Sequence, residues 1–246
     1  MKIAFFGTSD RSEPILESLH ESFDLVLCVT KTDTKVGREQ TDRETAVKRW
    51  AKDHGLDFVT IGSIKEEKGS IIKSLQKHGV ELGVVADFSF IIPKAIIEAP
   101  KYGIINIHFS LLPKLRGASP VQHAILQGLD ETGITYYLLD ERMDTGDILH
   151  QIRCPLDHTE TSGILYDRLF SVAAENLPQV IRDYTAGKIK PQPQNHQEAT
   201  YCYSKTRPET TYVFKEDAKI NWREEPSLIE RKIRAFHPWP VAWTTL

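Results

Sequence analysis

Lys2-Ile3-Ala4-Phe5-Phe6-Gly7-Thr8-Ser9-Asp10 opens the chain with four consecutive apolar residues, then a glycine and residues that favour turns and helix caps. An apolar run this short suits a central strand of a parallel sheet, covered on both faces. Ile15, Leu16 and Leu19 follow on one helical face. The alternation then repeats. Residues 25–30, 58–61, 82–86 and the apolar run 103–107 read as strands. Residues 46–52, the face made by Ile71, Ile72 and Leu75, and residues 93–98 read as the helices between them. Strands alternating with helices predict an α/β fold around a mostly parallel sheet. Ligands of such sheets sit beyond the carboxyl ends of the strands. Ala86-Asp87-Phe88 and His108 lie at two such ends.

The second half continues with a helix over 120–127 and strands over 132–140 and 148–156. A long helix after Thr161 carries Leu165, Leu169, Leu177 and Ile181 on one side. Pro178 inside it predicts a kink or a division, and Gly187 a stop. Residues 188–199, with Pro191, Pro193 and several amide side chains, read as an extended linker. The predicted organisation is a first domain over 1–187, a linker over 188–199 and a second unit over 200–246. That unit ends in the apolar run Trp239-Pro240-Val241-Ala242-Trp243, so a short or truncated form is expected. Residues 31–43 read as a polar, charged loop.

Composition bounds the function. The 246 residues are 40% hydrophobic and 26% charged, enough for one large domain with part of another. A formal net charge of −3 advertises no nucleic-acid binding over the whole surface, although net charge hides local patches. Cys28, Cys154 and Cys202 are far apart and odd in number, which suits neither a disulfide framework nor a zinc site. They are expected as small buried hydrophobes in a reducing cytosol. The N-terminal apolar run is too short for a signal peptide, and no run approaches the roughly 20 residues of a membrane span. The expectation is a soluble, cytoplasmic protein. Gly7-Thr8-Ser9 lacks both the dinucleotide glycine pattern and a Walker lysine.

Asn106 and His108 end the 103–107 run, and alternation puts both on one face. Asp144 follows the 132–140 strand. An amide donor, an imidazole and a carboxylate together can bind an oxyanion, move a proton and stabilise an imidazolium. That set suffices for acyl transfer to an amine without a metal. The chain has neither a Gly-x-Ser-x-Gly elbow nor a His-Glu-x-x-His motif. Taken alone, Asn-x-His at a strand end reads equally well as a satisfied structural pair.

The flanking residues add a family resemblance. Asn106-Ile-His-Phe-Ser-Leu-Leu-Pro113, then Arg116-Gly-Ala-Ser-Pro-Val-Gln122, resembles the signature of formyltransferases that use 10-formyltetrahydrofolate. Thr132-Gly-Ile-Thr135 and Met143-Asp-Thr-Gly-Asp-Ile-Leu149 resemble a second signature, and Val85-Ala-Asp-Phe-Ser-Phe-Ile-Ile-Pro93 the loop that holds the pterin. The resemblance implies a Rossmann-like formyltransferase fold with the start of a C-terminal β-barrel-type domain. It implies Asn106, His108 and Asp144 as catalytic residues. It implies Ala86, Asp87, Phe88, Ser110, Leu111, Leu112, Pro113 and Asp140 around the co-substrate 10-formyltetrahydrofolate. Lys215-Glu-Asp-Ala-Lys-Ile-Asn-Trp222 and Ile233-Arg-Ala-Phe-His-Pro-Trp-Pro240 resemble the methionyl-tRNA formyltransferases within that family. The implied acceptor is therefore the amine of methionyl-initiator tRNA. Lys35-Val-Gly-Arg38 resembles a loop that reaches the tRNA there, so Arg38 is an implied substrate contact; Arg116, beside the active-site loop, reads either as a substrate contact, to the folate tail or a phosphate, or as a structural hydrogen-bonding residue.

Three departures stand out. Phe109 replaces a small residue after the histidine and either narrows the acceptor pocket or enters the core. Ser89 replaces a glycine, so a positive φ there would carry strain. Residues 206–214 look like an insertion. The competing readings are an N-formyltransferase for a nucleotide-linked amino sugar, a folate-binding paralogue without transfer, and a hydrolase using the same three residues.

Overall fold

The computed structural model describes residues 1–36 and 41–245. Seven strands form the main sheet: β1 (Lys2–Gly7), β2 (Asp24–Lys31), β5 (Asp57–Ile61), β6 (Leu82–Ala86), β7 (Ile104–His108), β8 (Glu131–Leu138) and β9 (Ile148–Pro155). Their order is β5-β2-β1-β6-β7-β8-β9. Pairing is parallel from β5 across to β7 and antiparallel at β7–β8 and β8–β9. Two further strands, β3 (Thr34–Val36) and β4 (Thr41–Arg43), pair antiparallel within the stretch read as a loop. Arg38 lies outside the described residues.

Alternation along the strands builds two cores, one on each face of the sheet. Ile3, Phe5, Leu82, Val84, Ile105 and Ile107 face α1 (Glu13–Ser22) and α6 (Ser162–Thr185), meeting Leu16, Leu19, Leu169 and Leu177. Ala4, Phe6, Leu27, Val29 and Val85 face α3 (Lys68–His78) and α4 (Lys94–Ile97), meeting Ile71, Leu75 and Ile96. Phe5 and Phe6 have no exposed surface, and burying each contributes roughly 1.5–3 kcal/mol. The smaller helix α2 (Ala46–Asp53) starts where the Thr45 hydroxyl accepts from the Lys48 amide at 3.1 Å.

The long helix α6 runs unbroken through Pro178. Proline removes the amide that would bond the Ala174 carbonyl. Ser18 Oγ on α1 donates to that carbonyl at 2.6 Å instead, so the orphaned acceptor is satisfied and the helix need not divide. No helix among the described residues is long and apolar enough to cross a membrane.

The segment after α6 is bound along the domain. Ile148 and Gln192 form a β-bridge, and Gln194 is buried. Residues 200–245 carry α7 (Pro226–Ala235), a short 3-10 turn and isolated bridges, with no ladder of barrel strands among the described residues. The helix α7 packs on α5 (Pro120–Gln127), and Phe236, Val213 and Ala218 cluster against Leu126. The second unit therefore shares a core with the first rather than hanging from it.

Candidate active site

The sheet changes from parallel to antiparallel at β7, and the site lies on that strand. Asn106 and His108 are two residues apart, so their side chains leave β7 on one face. The antiparallel register places Tyr137 of β8 directly opposite Asn106, and Thr135 opposite His108. The turn after β8 carries Asp144, at a φ of 53°, back over the same face. Aspartate tolerates this left-handed backbone better than most residues. The turn fits tightly: a Cβ on Gly146 would lie 1.7 Å from the Leu138 carbonyl oxygen.

These groups are hydrogen-bonded to one another. Asn106 Nδ2 donates to Tyr137 Oη at 2.7 Å, and Tyr137 Oη donates to Asp144 Oδ1 at 2.7 Å. The Gly117 amide donates to Asp144 Oδ2 at 2.6 Å. His108 Nδ1 stands 3.8 Å from that same oxygen, beyond a hydrogen bond but within strong electrostatic reach. His108 Nε2 lies 2.9 Å from the Leu115 carbonyl, which can only accept. In the neutral form the ring proton therefore sits on Nε2 and the lone pair on Nδ1, the atom facing Asp144. Burial and the neighbouring Asp144 carboxylate hold the Tyr137 hydroxyl well above the usual phenol range, so it remains a donor.

Asn106, His108, Asp144 and Tyr137 line one cleft of about 240 Å³. Asp87, Phe88 and Asp140 line it too, as do Arg142, Met143, Tyr166 and Tyr212. Asp140 accepts from the Thr145 hydroxyl at 2.6 Å and from the Arg142 amide at 3.1 Å, which anchors the turn bearing Asp144. Phe109 does two things. It lines the cleft and packs on Phe170 at 4.4 Å and on Tyr166 edge-on at 5.9 Å.

Other expected contacts lie elsewhere. Ala86 is wholly buried in its strand. Ser110, Leu111, Leu112 and Pro113 are not among the residues lining the cleft. They form a buttress behind it. Thr135 Oγ1 donates to the Ser110 carbonyl at 2.6 Å and accepts from the Leu112 amide at 3.1 Å. Gln151 Nε2 donates to the Leu112 carbonyl at 2.9 Å, and Ser110 Oγ to the Lys114 carbonyl at 2.6 Å. Leu111 fills the space beside Gly133.

Arg116, expected at the substrate, is only 2% exposed and is not on the cleft wall. Its Nη2 donates to Gln194 Oε1 at 2.6 Å and to His196 Nδ1 at 3.0 Å, and its Nη1 to Tyr201 Oη at 3.3 Å. The guanidinium thus ties the 188–199 segment to the domain. Gln194 in turn donates to the carbonyls of Asp144 (3.0 Å) and Gly146 (2.7 Å), so this segment supports the turn that bears Asp144. The strain expected at Ser89 falls instead on Asp87, whose φ is 48°. Ser89 Oγ shares a 2.9 Å hydrogen bond with Thr8 Oγ1.

Two residues important to the site were not singled out from the sequence. Tyr137 carried one faint signal: a tyrosine in a buried strand needs a partner for its hydroxyl. Gln194 sat in a polar stretch and carried none.

Residues 1–181 match the family model described as formyl transferase, and residues 213–246 match the formyl transferase C-terminal domain. A methionyl-tRNA formyltransferase of Geobacillus sp. is 39% identical over 246 residues, covering 100% of this chain and 74% of its own. One from Bacillus cytotoxicus is 39% identical over 248 residues, covering 100% of this chain and 76% of its own. Among solved structures, an N-formyltransferase from Helicobacter canadensis, in complex with folinic acid and dTDP-3-aminofucose, superposes with a TM-score of 0.70. It is 21% identical and covers 96% of this chain and 80% of its own, a likeness of fold.

Proposed function

The chain belongs to the formyl transferase family, and from that premise we propose that it moves a formyl group from 10-formyltetrahydrofolate to the amine of methionyl-initiator tRNA. The observation that carries the acceptor is the 39% identity over the whole chain, residues 200–246 included, with proteins named methionyl-tRNA formyltransferase.

The roles follow from donor and acceptor positions. The acceptor amine attacks the formyl carbon, forming a C–N bond and a tetrahedral oxyanion. Asn106 has two Nδ2 hydrogens, and only one is committed to Tyr137. The second is the donor for the oxyanion. His108 Nδ1 takes the proton released by the attacking nitrogen, and Asp144 at 3.8 Å stabilises the resulting imidazolium. The imidazolium returns that proton to N10 as the carbon–N10 bond breaks, leaving tetrahydrofolate and the formylated amine. Asp87, Phe88 and Asp140 contact the folate in this reading, and Ser110–Pro113 shape the wall from behind. Arg116 reaches no substrate; it acts through Gln194 on the Asp144 turn.

The test is a formyl-transfer assay with purified protein, 10-formyltetrahydrofolate and charged initiator tRNA, beside a panel of nucleotide-linked amino sugars. Transfer to the tRNA is expected. Transfer only to a sugar would replace the acceptor and leave the chemistry standing. Folate binding without transfer to either would overturn the reading.

A further inference from the structure

We propose that Tyr137 is a positioning residue that sets, through one hydroxyl, both the Asn106 amide and the Asp144 carboxylate in the orientation that formyl transfer requires. The inference rests on the transfer chemistry proposed above. Tyr137 is wholly buried and its Oη carries a single proton. Asp144 as a carboxylate only accepts, so that proton belongs to the 2.7 Å bond to Oδ1. Oη must then accept in its 2.7 Å contact with Asn106. Only the Nδ2 end of the amide can supply a hydrogen there. The orientation of the Asn106 amide, with N rather than O toward Tyr137, is thereby dictated by the charge on Asp144.

Two catalytic consequences follow. The second Nδ2 hydrogen is left uncommitted on a residue that lines the cleft. A flipped amide would present an oxygen lone pair and repel an oxyanion instead of binding it. On the other side, Oδ1 is held by Tyr137 and Oδ2 by the Gly117 amide at 2.6 Å. With both oxygens engaged, the carboxylate is fixed 3.8 Å from His108 Nδ1, where it stabilises the imidazolium once Nδ1 has taken a proton. The lone pair of the imidazole remains available to the attacking amine. A phenylalanine fills the same slot but leaves the amide free to rotate and Oδ1 without its donor, so neither group is held in its orientation. The β7–β8 register, which sets Tyr137 opposite Asn106, makes this arrangement possible.

The experiment compares wild type, Tyr137→Phe, Asn106→Ala and the double variant in steady-state formyl transfer, with thermal unfolding of each. Tyr137→Phe is expected to lower kcat roughly 10- to 100-fold while KM for 10-formyltetrahydrofolate moves less than about twofold. Because Tyr137 acts partly through Asn106, the two losses must not multiply in the double variant. Unchanged kcat in Tyr137→Phe, or fully multiplicative losses, overturns the proposal. A second measurement needs no variant: side-chain amide hydrogen exchange of Asn106 in the free wild-type protein. One protected and one rapidly exchanging Nδ2 hydrogen is expected, and equal exchange of the two overturns the proposal. A wild type with no transfer activity at all would count against the proposed function, and the exchange measurement would still judge the position of Tyr137.

Discussion

Replacing Asp144 by asparagine separates charge from shape at the centre of the site. The side chains of His108 and Asp144 are 7% and 12% exposed, so solvent screens their interaction weakly. At the observed 3.8 Å, and with an effective dielectric constant of ~20, a carboxylate stabilises an imidazolium by about 4 kcal/mol. Asparagine removes that term, which acts only on the charged imidazole formed in the proposed proton transfer. An interaction of that size corresponds to about a thousandfold in rate, and incomplete desolvation brings the expected loss of kcat to ~100- to 1,000-fold. Folding suffers less. Tyr137 Oη and the Gly117 amide both donate to the carboxylate, and an amide offers one oxygen, so one donor meets an NH2 group. One such mismatch costs about 1–3 kcal/mol, and at ~2–4 °C per kcal/mol the melting temperature falls by several degrees. The assay is single-turnover formyl transfer at saturating 10-formyltetrahydrofolate, beside a thermal melt. A folded Asp144→Asn protein that keeps more than about a third of the wild-type rate would refute the role given to the carboxylate.

Three further outcomes are expected. Gly146→Ala puts a methyl group into the Leu138 carbonyl, where the clash is with backbone; urea unfolding should show a loss of roughly 3–5 kcal/mol, and an unchanged midpoint would contradict the tight turn. Arg116→Met keeps the length and loses the bonds to Gln194, His196 and Tyr201, so it should cost about 2–4 kcal/mol and speed proteolysis within 188–199 without raising KM for the folate. A raised KM at unchanged stability would return Arg116 to the substrate. Cys28, Cys154 and Cys202 are buried and free, and burial pushes the Cys28 thiol up to about 12. Iodoacetamide at pH 8 should label none of the three until the chain is unfolded, and prompt labelling of the native protein would contradict their packing.

Much of the fold was legible in the chain because period-two and helical apolar patterns report burial directly. The apolar runs at residues 3–6 and 82–86 fall in β1 and β6, and the run 103–107 starts one residue before β7. The helix over 120–127 matches α5, where Gly128 supplies the left-handed stop at a φ of 65°. The pair β3–β4 was missed because two three-residue strands carry too few apolar positions to set a period. Pro178 does not divide α6 although its local cost is real, because the compensating hydroxyl of Ser18 lies 160 positions away in sequence and at contact distance only in the fold.

The linear chain carried a chemical inventory and approximate places: an amide and an imidazole at one strand end, a carboxylate on a later turn, and a family pattern around them. Folding selected which of those groups meet. The register of β7 on β8 brought Tyr137 to Asn106, and the turn with positive φ carried Asp144 to Tyr137 and Gly117. Arg116 illustrates the same limit from the other side. Its charge suggested a ligand, yet the packing of residues 194–201 had already claimed its two terminal nitrogens for Gln194, His196 and Tyr201. The physical reason is that hydrogen bonds are satisfied in space. A one-dimensional pattern names the donors and acceptors, and only the folded chain says which of them are already spent.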